Sequence, residues 1–169
     1  MTTIAFQDRM PGNRCFGCGP DNAGGLRIKS FWDGDESVCS FHPRPEHCAG
    51  PDHVLNGGIT ATLIDCHCVC TATAEAYRME GREMGSEPRI WCVTGSLEID
   101  YLAPVPIDRP VELRARVVAV NGKKTRLECS LSSDGRDCAR GRVLAVRVPP
   151  SWREPEPNRD RPGRAGKPQ

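Results

Sequence analysis

The sequence predicts an α+β fold in which a curved antiparallel sheet of five to six strands wraps one long central helix. The helix prediction comes from a segment of about 23 residues that begins at Gly57 and has apolar residues every three to four positions. Its other faces are hardly more polar, so the helix must be enclosed. The remaining apolar segments alternate with polar residues between turn signals, which is typical of strands. The strands must therefore curve around the helix to bury it.

Two strands are predicted before the helix and four after it. Residues 26–32 and 37–42 flank the turn sequence Asp33-Gly34-Asp35, which favours a hairpin. The later strands span residues 90–102, 111–120, 123–131 and 138–148, with tight turns at Asn121-Gly122 and Asp134-Gly135. We expect a further sheet edge or face to complete the burial of the helix, which favours a dimer.

Composition indicates one domain. The chain has 169 residues, 38% of them hydrophobic, and a net charge of +1, so no charge bias points to nucleic acid as a partner. The N-terminus has no signal-peptide core, and no apolar run approaches the roughly 18 residues of a membrane span, so we expect a cytoplasmic protein with no membrane partner. We predict a flexible N-terminus over residues 1–13, the folded domain over 14–148 and a disordered Pro/Arg-rich tail over 149–169.

Asp65 is the candidate catalytic residue. It lies about two turns inside the predicted helix among apolar residues, where an unpaired buried carboxylate costs several kcal/mol. It lies too far from the helix start to act as a cap. One alternative is a structural ion pair with an arginine from a strand. The other, which we favour, is a carboxylate with a raised pKa that serves as a general base or nucleophile.

The start of the helix is the second candidate element. Asn56 is a good N-cap residue, and it is followed by Gly57 and Gly58 at the positions whose backbone N–H groups lack partners within the helix. Glycine is a poor helix former, so a pair of glycines here indicates close approach of a ligand carbonyl to free amides, as in an oxyanion hole. The structural alternative is that Asn-Gly simply marks a turn.

The histidines near the helix are weaker candidates. His53 lies within sequence reach of the helix start and is a candidate substrate-binding residue, although an exposed loop position explains it equally well. His67 follows Asp65 by two residues, about 200° around the helix, and cannot share its face.

Ten cysteines invite a metal or disulfide interpretation. Cys15 and Cys18 form one CxxC pair, which is half of a zinc site, and no second pair of similar spacing follows it. Distant ligands such as Cys39 or His42 would have to complete the site, and a metal box around Cys66 to Cys70 would spread its ligands around the helix. We favour reduced thiols, with a packed turn at Cys15 to Gly19, and expect no metal.

Two segments carry a family resemblance. Residues 55–65, LNGGITATLID, and residues 97–104, LEIDYLAP, resemble the hotdog-fold acyl-CoA thioesterases of the PaaI and 4-hydroxybenzoyl-CoA type. The resemblance runs from about Arg14 to Val148 and includes the CFGCG sequence at residues 15–19. It implies a hotdog fold, hydrolysis of an acyl-CoA substrate to free acid and thiol, no metal or redox cofactor, and a homodimer or dimer of dimers with shared sites.

The resemblance also assigns roles to individual residues. It implies that the Gly57 amide polarises the thioester carbonyl, that Asp65 acts as base or nucleophile, and that Thr94 positions the water. The motif histidine of the family is Asn56 in this chain. Asn56 still caps the helix and can donate hydrogen bonds. A chain that lost the motif histidine can also keep the fold without turnover, so a non-catalytic acyl-CoA-binding or sensing protein is the alternative function.

The strand that should carry Thr94 presents a geometric conflict. Strict alternation places Trp91, Val93, Leu97, Ile99 and Tyr101 on the side that covers the helix, and Thr94 on the opposite side. A bulge at Gly95, or a site formed where two subunits meet, would resolve the conflict.

Overall fold

One long helix lies against a single six-stranded antiparallel sheet, as the sequence predicts. The computed structural model describes residues 4–153. The helix α1 is Gly57–Met79, and short 3₁₀ turns occur at Phe6–Arg9, Pro45–His47 and Pro150–Arg153. The strands are β1 (Ser30–Asp33), β2 (Glu36–Phe41), β3 (Trp91–Tyr101), β4 (Val111–Asn121), β5 (Lys124–Ser133) and β6 (Arg136–Val148). Their order in the sheet is β1-β2-β4-β5-β6-β3, so β1 and β3 are the edge strands.

Both ends of α1 are fixed by local hydrogen bonds. The Asn56 side chain accepts hydrogen bonds from the backbone N–H groups of Gly58 and Ile59 at 2.7 and 3.3 Å, which satisfies two of the unpaired donors at the helix start. At the other end, Gly81 adopts a left-handed φ of 62° and donates to the Arg78 carbonyl at 3.0 Å. That conformation strongly favours glycine, so the helix stops there.

The core lies between α1 and the concave face of the sheet. Leu63 and Ile64 of α1 are fully buried, as are Leu113 of β4 and Leu131 of β5. A Cβ atom on Gly141 of β6 would approach Ile64 to 2.4 Å, so a residue without a side chain is what lets the helix lie this close to the sheet. Among residues 4–153, no helix combines the length and the hydropathy needed to cross a lipid bilayer.

The N-terminal segment differs from the flexible segment predicted for residues 1–13. Of the described residues 4–13, Phe6 and Met10 are 5% and 8% exposed and belong to the core. Gln7 is completely buried, and its side chain binds Ser30 through both the hydroxyl at 2.9 Å and the backbone N–H at 2.8 Å. The segment therefore extends the fold, because its apolar residues cover one flank of α1.

The C-terminal prediction is only partly within the described residues. The sequence predicts the tail over residues 149–169, and the structure describes it as far as Arg153. Residues Pro150–Arg153 form a 3₁₀ turn, and the Arg153 guanidinium lies 4.4 Å from the centre of the Trp91 ring. Residues 1–3 and 154–169 lie outside the described residues.

His67 lies at the centre of a buried polar network between α1 and the first hairpin. Its ring nitrogens lie 2.9 Å from the Ser30 hydroxyl and 3.1 Å from the Ser37 hydroxyl, and Ser37 also bonds Thr71 at 2.6 Å. Burial lowers the pKa of His67 to about 4 from 6.5. His67 is therefore neutral at physiological pH and has a structural role.

This network predicts acid sensitivity of the fold. The unfolded chain binds the His67 proton more tightly than the folded chain does, so the stability associated with neutral His67 is present above pH 6.5 and is lost as the pH falls toward about 4. We expect His67→Gln to reduce this slope by up to about 1.4 kcal/mol per pH unit. Urea unfolding between pH 7 and 4.5 measures it. The exposed His53→Gln is the matched control and should keep the wild-type slope; an equal slope in His67→Gln would contradict the prediction.

Candidate active site

The carboxylate of Asp65 is held by a hydrogen bond from β3. The Thr94 hydroxyl donates to Asp65 Oδ1 at 2.6 Å. Burial raises the pKa of Asp65 above its usual value, the bond from Thr94 lowers it and the nearby Cys18 raises it. Within residues 4–153, no Lys, Arg or His side chain lies within 4.0 Å of this carboxylate, so the alternative of a structural ion pair is not realised there.

Asp65 is half-buried, which differs from the expectation of a mostly buried acid. Ala61, Asp65 and Val69 are spaced four residues apart, lie on one strip of α1 and are all half-buried. The neighbouring Leu63 and Ile64 are fully buried under the sheet. The sheet thus leaves one strip of the helix partly uncovered, and Asp65 is the only ionisable residue among these three.

A β-bulge at Gly95 brings Thr94 to the helix side of β3. The register of β3 against β6 shifts between Thr94 and Ser96, so that Thr94 pairs with Ala145 and Leu97 pairs with Val143. Ala145 and Val143 are both buried, at 0% and 2% exposure, and directly paired residues share a face of the sheet. Thr94 and Leu97 therefore both face the helix, although they are three positions apart in the sequence.

Because of the bulge, the prediction of which residues face the helix is wrong for the first half of β3. Cys92 and Thr94 face α1 there, and Trp91 and Val93 alternate with them, contrary to the predicted row. A Cβ atom on Gly95 would lie 2.9 Å from the Val146 side chain, which explains the glycine at the bulge.

The start of α1 presents one free amide and one occupied amide. The Gly58 N–H is taken up by the Asn56 cap, whereas the Gly57 N–H has no acceptor among the described residues. A Cβ atom on Gly58 would also lie 3.0 Å from the Asn56 side-chain oxygen. Of the two glycines, Gly57 thus offers the donor, and Gly58 contributes only the lack of a side chain.

Tyr101 is a neighbour of this amide that the strand pattern did not identify as a site residue. Its hydroxyl donates to the Gly57 carbonyl at 2.8 Å, and its ring lies 3.6 Å from the position of a Cβ atom on Gly57. Tyr101 is nevertheless 57% exposed. Its position, the last residue of a strand beside the helix start, was the available signal, because an exposed aromatic residue there commonly contacts a ligand or a partner.

A shallow cleft of about 360 Å³ lies beside the helix start. Its lining is mostly apolar and includes Leu55, Gly57, Thr60, Tyr101 and Val105. A larger depression of about 450 Å³ lies on the outer face of the sheet, among the ion pairs that Arg114, Arg116 and Arg142 make with acidic residues. The acidic side chains in the outer depression are paired with arginines, whereas the helix carries Asp65 without such a partner, so the candidate active site is at the helix.

Two of the predicted catalytic groups, the Asp65 carboxylate and the Gly57 amide, are not close together within one chain. Asp65 follows Gly57 by eight residues, which is about 12 Å along the helix axis. An oxyanion donor must lie within roughly 3 Å of the reacting oxygen, so one copy of α1 cannot apply both groups to the same carbonyl. The exposed side chain of His53 lies 3.8 Å from Asp52 and makes no described contact with Gly57, Asp65 or Thr94.

Cysteines are the residues with metal-binding potential. The sulfur atoms of Cys15, Cys18 and Cys66 all lie within 4.8 Å of one another. Cys66 is next to Asp65 in sequence and therefore projects about 100° away from it around the helix. This cysteine group is distinct from the Asp65–Thr94 pair.

Comparison with known proteins identifies relatives of this chain. The sequence model of the thioesterase-like superfamily matches residues 59–149, more than half of the chain. A thioesterase superfamily protein from Shewanella loihica, with a solved structure, is 38% identical to the chain at a TM-score of 0.59 and covers 72% of this chain and 91% of its own. The PaaI protein of the E. coli phenylacetic acid degradation operon gives a TM-score of 0.60 at 15% identity, over 73% of this chain and 81% of its own. These likenesses confirm the predicted hotdog fold.

A curated relative matches over a shorter region. The acyl-coenzyme A thioesterase THEM4 of Xenopus laevis is 31% identical over 96 residues, which is 57% of this chain. The match spans only 37% of the length of that relative.

The Thr94–Asp65 hydrogen bond predicts a measurable pKa change. Thr94→Val removes a donor that stabilises the ionised carboxylate, so we expect the pKa of Asp65 to rise further above its usual value. Carbon-13 NMR titration of the carboxyl groups measures the change, and Asp65→Asn assigns the signal. Thr94→Ser keeps the hydroxyl and serves as the control. An Asp65 pKa that is the same in Thr94→Val and Thr94→Ser would contradict the hydrogen bond.

Proposed function

This chain belongs to the thioesterase-like superfamily, and from that premise we propose that it hydrolyses an acyl-CoA-type thioester to free acid and thiol. The observation that carries the proposal is the bond from Thr94 to the half-buried Asp65, since it holds an unpaired acid on the open strip of α1. The likeness to an acyl-coenzyme A thioesterase supports an acyl-CoA as the substrate class.

Asp65 is proposed as the base that activates water, or as the nucleophile that attacks the thioester directly. A general base works best when its pKa lies closer to the operating pH, and burial moves the Asp65 pKa in that direction. Thr94 orients the carboxylate of Asp65 through its hydroxyl. The same hydroxyl can also hydrogen-bond to the attacking water. As a base, Asp65 takes a proton from the attacking water and returns it to the thiolate as the C–S bond breaks. As a nucleophile, it forms an acyl–aspartyl anhydride with release of the thiolate, and water then cleaves the anhydride to free acid and carboxylate.

The Gly57 amide is proposed as the oxyanion donor. It is unpaired within the described residues and lies at the positive end of a 23-residue helix, where negative charge is stabilised. The bond from Tyr101 to the Gly57 carbonyl fixes the orientation of this first peptide. Asn56 holds the helix start through its oxygen, which leaves its side-chain N–H₂ group to donate to a substrate.

A second copy of the chain is proposed to complete the site, because the Gly57 amide and Asp65 are about 12 Å apart along α1 within one copy. Strand β3 is an edge strand of 11 residues that carries Thr94, and its outer edge has no partner strand among residues 4–153. A two-fold axis at this edge would join two sheets and set the two helices antiparallel. Gly57 of one copy then lies near Asp65 of the other, in a homodimer or a dimer of dimers.

The alternative is a non-catalytic acyl-CoA-binding or sensing protein. It is favoured by Asn56 at the position of the motif histidine, since the side-chain oxygen of Asn56 is already engaged in capping. Isothermal calorimetry with acyl-CoAs of several chain lengths distinguishes the two functions. Tight binding without release of free thiol would support the alternative, and turnover would support the enzyme.

We expect Asp65→Asn to reduce thioester hydrolysis by about 100-fold or more, because general-base catalysis contributes that much. The fold should not weaken at neutral pH, since burial disfavours the ionised form and the asparagine oxygen can still accept from Thr94. Thiol release from a panel of acyl-CoAs and thermal unfolding measure the two effects. Asp100→Asn, on the outer face of β3 and paired with Arg142, is the control with wild-type activity expected. Unchanged turnover in Asp65→Asn would reject the role.

We expect Gly57→Pro to reduce hydrolysis by about 100-fold or more, since it removes the proposed oxyanion N–H. Proline is well tolerated at the first position of a helix, and Asn56 already has the extended backbone that precedes proline, with φ −60° and ψ 134°. Gly57→Ala keeps the N–H, and its Cβ would make only ordinary contacts at 3.6 Å or more, so it is the control. Equal activities of the two variants would contradict the role of the amide.

Mixing the two inactive variants tests whether the site is shared. A hybrid of one Asp65→Asn copy and one Gly57→Pro copy has one site with both native groups and one site with neither. Random exchange makes half of the dimers hybrid, so activity should return to about a quarter of wild type. No recovery after exchange, verified by native mass spectrometry, would place both groups in the same copy.

A further inference from the structure

Three cysteines from two distant parts of the sequence meet between the N-terminal segment and α1, and a fourth lies one helical turn away. The sulfurs of Cys15, Cys18 and Cys66 lie within 4.8 Å of one another, and those of Cys15 and Cys66 are 3.6 Å apart. Cys70 is buried one turn after Cys66 on the same face of α1 and influences the pKa of Cys18, and its sulfur lies outside the group of three that are within 4.8 Å of one another. The sequence shows no second CxxC pair because the other two cysteines, Cys66 and Cys70, are four residues apart, the spacing of one helical turn.

The spacing of the sulfurs suits a metal ion. A tetrahedral zinc site with Zn–S bonds of about 2.3 Å places its sulfurs about 3.8 Å apart. The distance of 3.6 Å between Cys15 and Cys66 is close to that value and is far longer than the S–S bond of a disulfide, about 2.0 Å. All ten cysteines are free thiols in the structure.

The loop between Cys15 and Cys18 is built around these sulfurs. A Cβ atom on Gly17 would lie 2.3 Å from the Cys66 sulfur, and one on Gly19 would lie 2.5 Å from the backbone nitrogen of Cys15. Gly19 also donates from its backbone N–H to the Cys15 carbonyl at 2.9 Å. Side chains at either position would displace the loop from the helix, so both glycines serve the close approach.

Polar groups around Cys18 favour its thiolate, whereas neighbouring thiols and burial raise the pKa of Cys66 and of Cys70. The Asn13 side chain is 4% exposed, and its amide N–H donates to the Cys18 sulfur at 3.5 Å. Hydrogen bonds from Cys15, Cys66 and Cys70 lower the pKa of the Cys18 thiol. A thiolate is the form of cysteine that binds a metal, and such outer hydrogen bonds are typical of metal sites.

We propose that Cys15, Cys18 and Cys66 bind one Zn²⁺ ion, and that Cys70, one turn along α1, moves inward to complete a tetrahedral thiolate site. Four thiolates and no open position make a structural site rather than a catalytic one. Binding displaces the thiol protons, so the affinity increases with pH. The site replaces the packed turn of free thiols that the sequence analysis favoured, and it does not depend on the proposed hydrolysis.

The ion would link the N-terminal segment to the helix that carries Asp65. Residues 4–29 precede the first strand and include Phe6 and Met10, which cover α1. The cluster adds a cross-link between this segment and Cys66, the neighbour of Asp65. Zinc therefore stabilises the wall of the fold behind the open strip.

The test uses the full chain, without an affinity tag, purified from cells grown with zinc. We expect about one zinc per chain by mass-spectrometric elemental analysis and a lower thermal unfolding midpoint after chelation. Cys18→Ser and Cys66→Ser should contain at least about tenfold less zinc. The half-buried Cys48→Ser lies outside the cluster and should keep the wild-type zinc content.

Cobalt titration of the metal-free protein keeps the test decisive if a buried variant fails to fold. Cys15 is exposed, so Cys15→Ser should retain the fold while it changes the ligands. The wild type should show the visible and near-ultraviolet bands of tetrahedral cobalt thiolate, and Cys15→Ser should show weaker, shifted bands. Metal-free wild-type protein with freely reactive thiols, a Cys15–Cys66 disulfide by peptide mapping, or equal zinc in Cys15→Ser and wild type would each overturn the site.

Discussion

The way the sheet closes around α1 is the constraint on which the structure depends. The helix is 23 residues long and apolar on most faces, and the curved sheet and the N-terminal segment cover most of it but leave the strip of Ala61, Asp65 and Val69 half-buried. Under complete cover, an unpaired carboxylate in mid-helix would cost several kcal/mol. With no cover, burial would not raise its pKa. The partial cover permits an ionisable group that needs only the hydroxyl of Thr94 as partner.

Three successive residues of α1 serve three different surroundings. Asp65 lies on the open strip, Cys66 contacts the cysteine loop, and His67 bonds the serines of the first hairpin. Steps of about 100° per residue separate these directions. One helix can therefore hold a reactive acid, a cross-link to the N-terminal segment and a buried polar network, provided that its residues stay in register with the sheet.

Local signals in the sequence were sufficient for the elements of the fold. The period of α1, the Asn56 cap and the Asn121-Gly122 turn all act within a few residues, and each is where the sequence predicts it. The position of Asp65 on the helix and the free Gly57 amide follow from the same local rules.

Features that depend on contacts between distant residues were not accessible in the same way. The packing of Phe6 and Gln7 depends on Ser30 and on α1, so composition alone suggested a flexible segment. Cys66 and Cys70 fit an apolar stripe as well as a ligand pair, and only the fold shows that Cys15 and Cys18 lie opposite them. The half-buried state of Asp65 likewise depends on how far the sheet reaches.

The bulge at Gly95 makes the two halves of β3 out of phase with each other. If all residues of β3 paired without the bulge, strict alternation would hold, and the half before Gly95 would turn over while the half after it stayed on the core. Thr94 would then point away from Asp65, with no change in the amino-acid sequence of the strand. The alternation of side chains along β3, and not only the presence of a hydroxyl residue, therefore decides whether Asp65 keeps Thr94 as its partner.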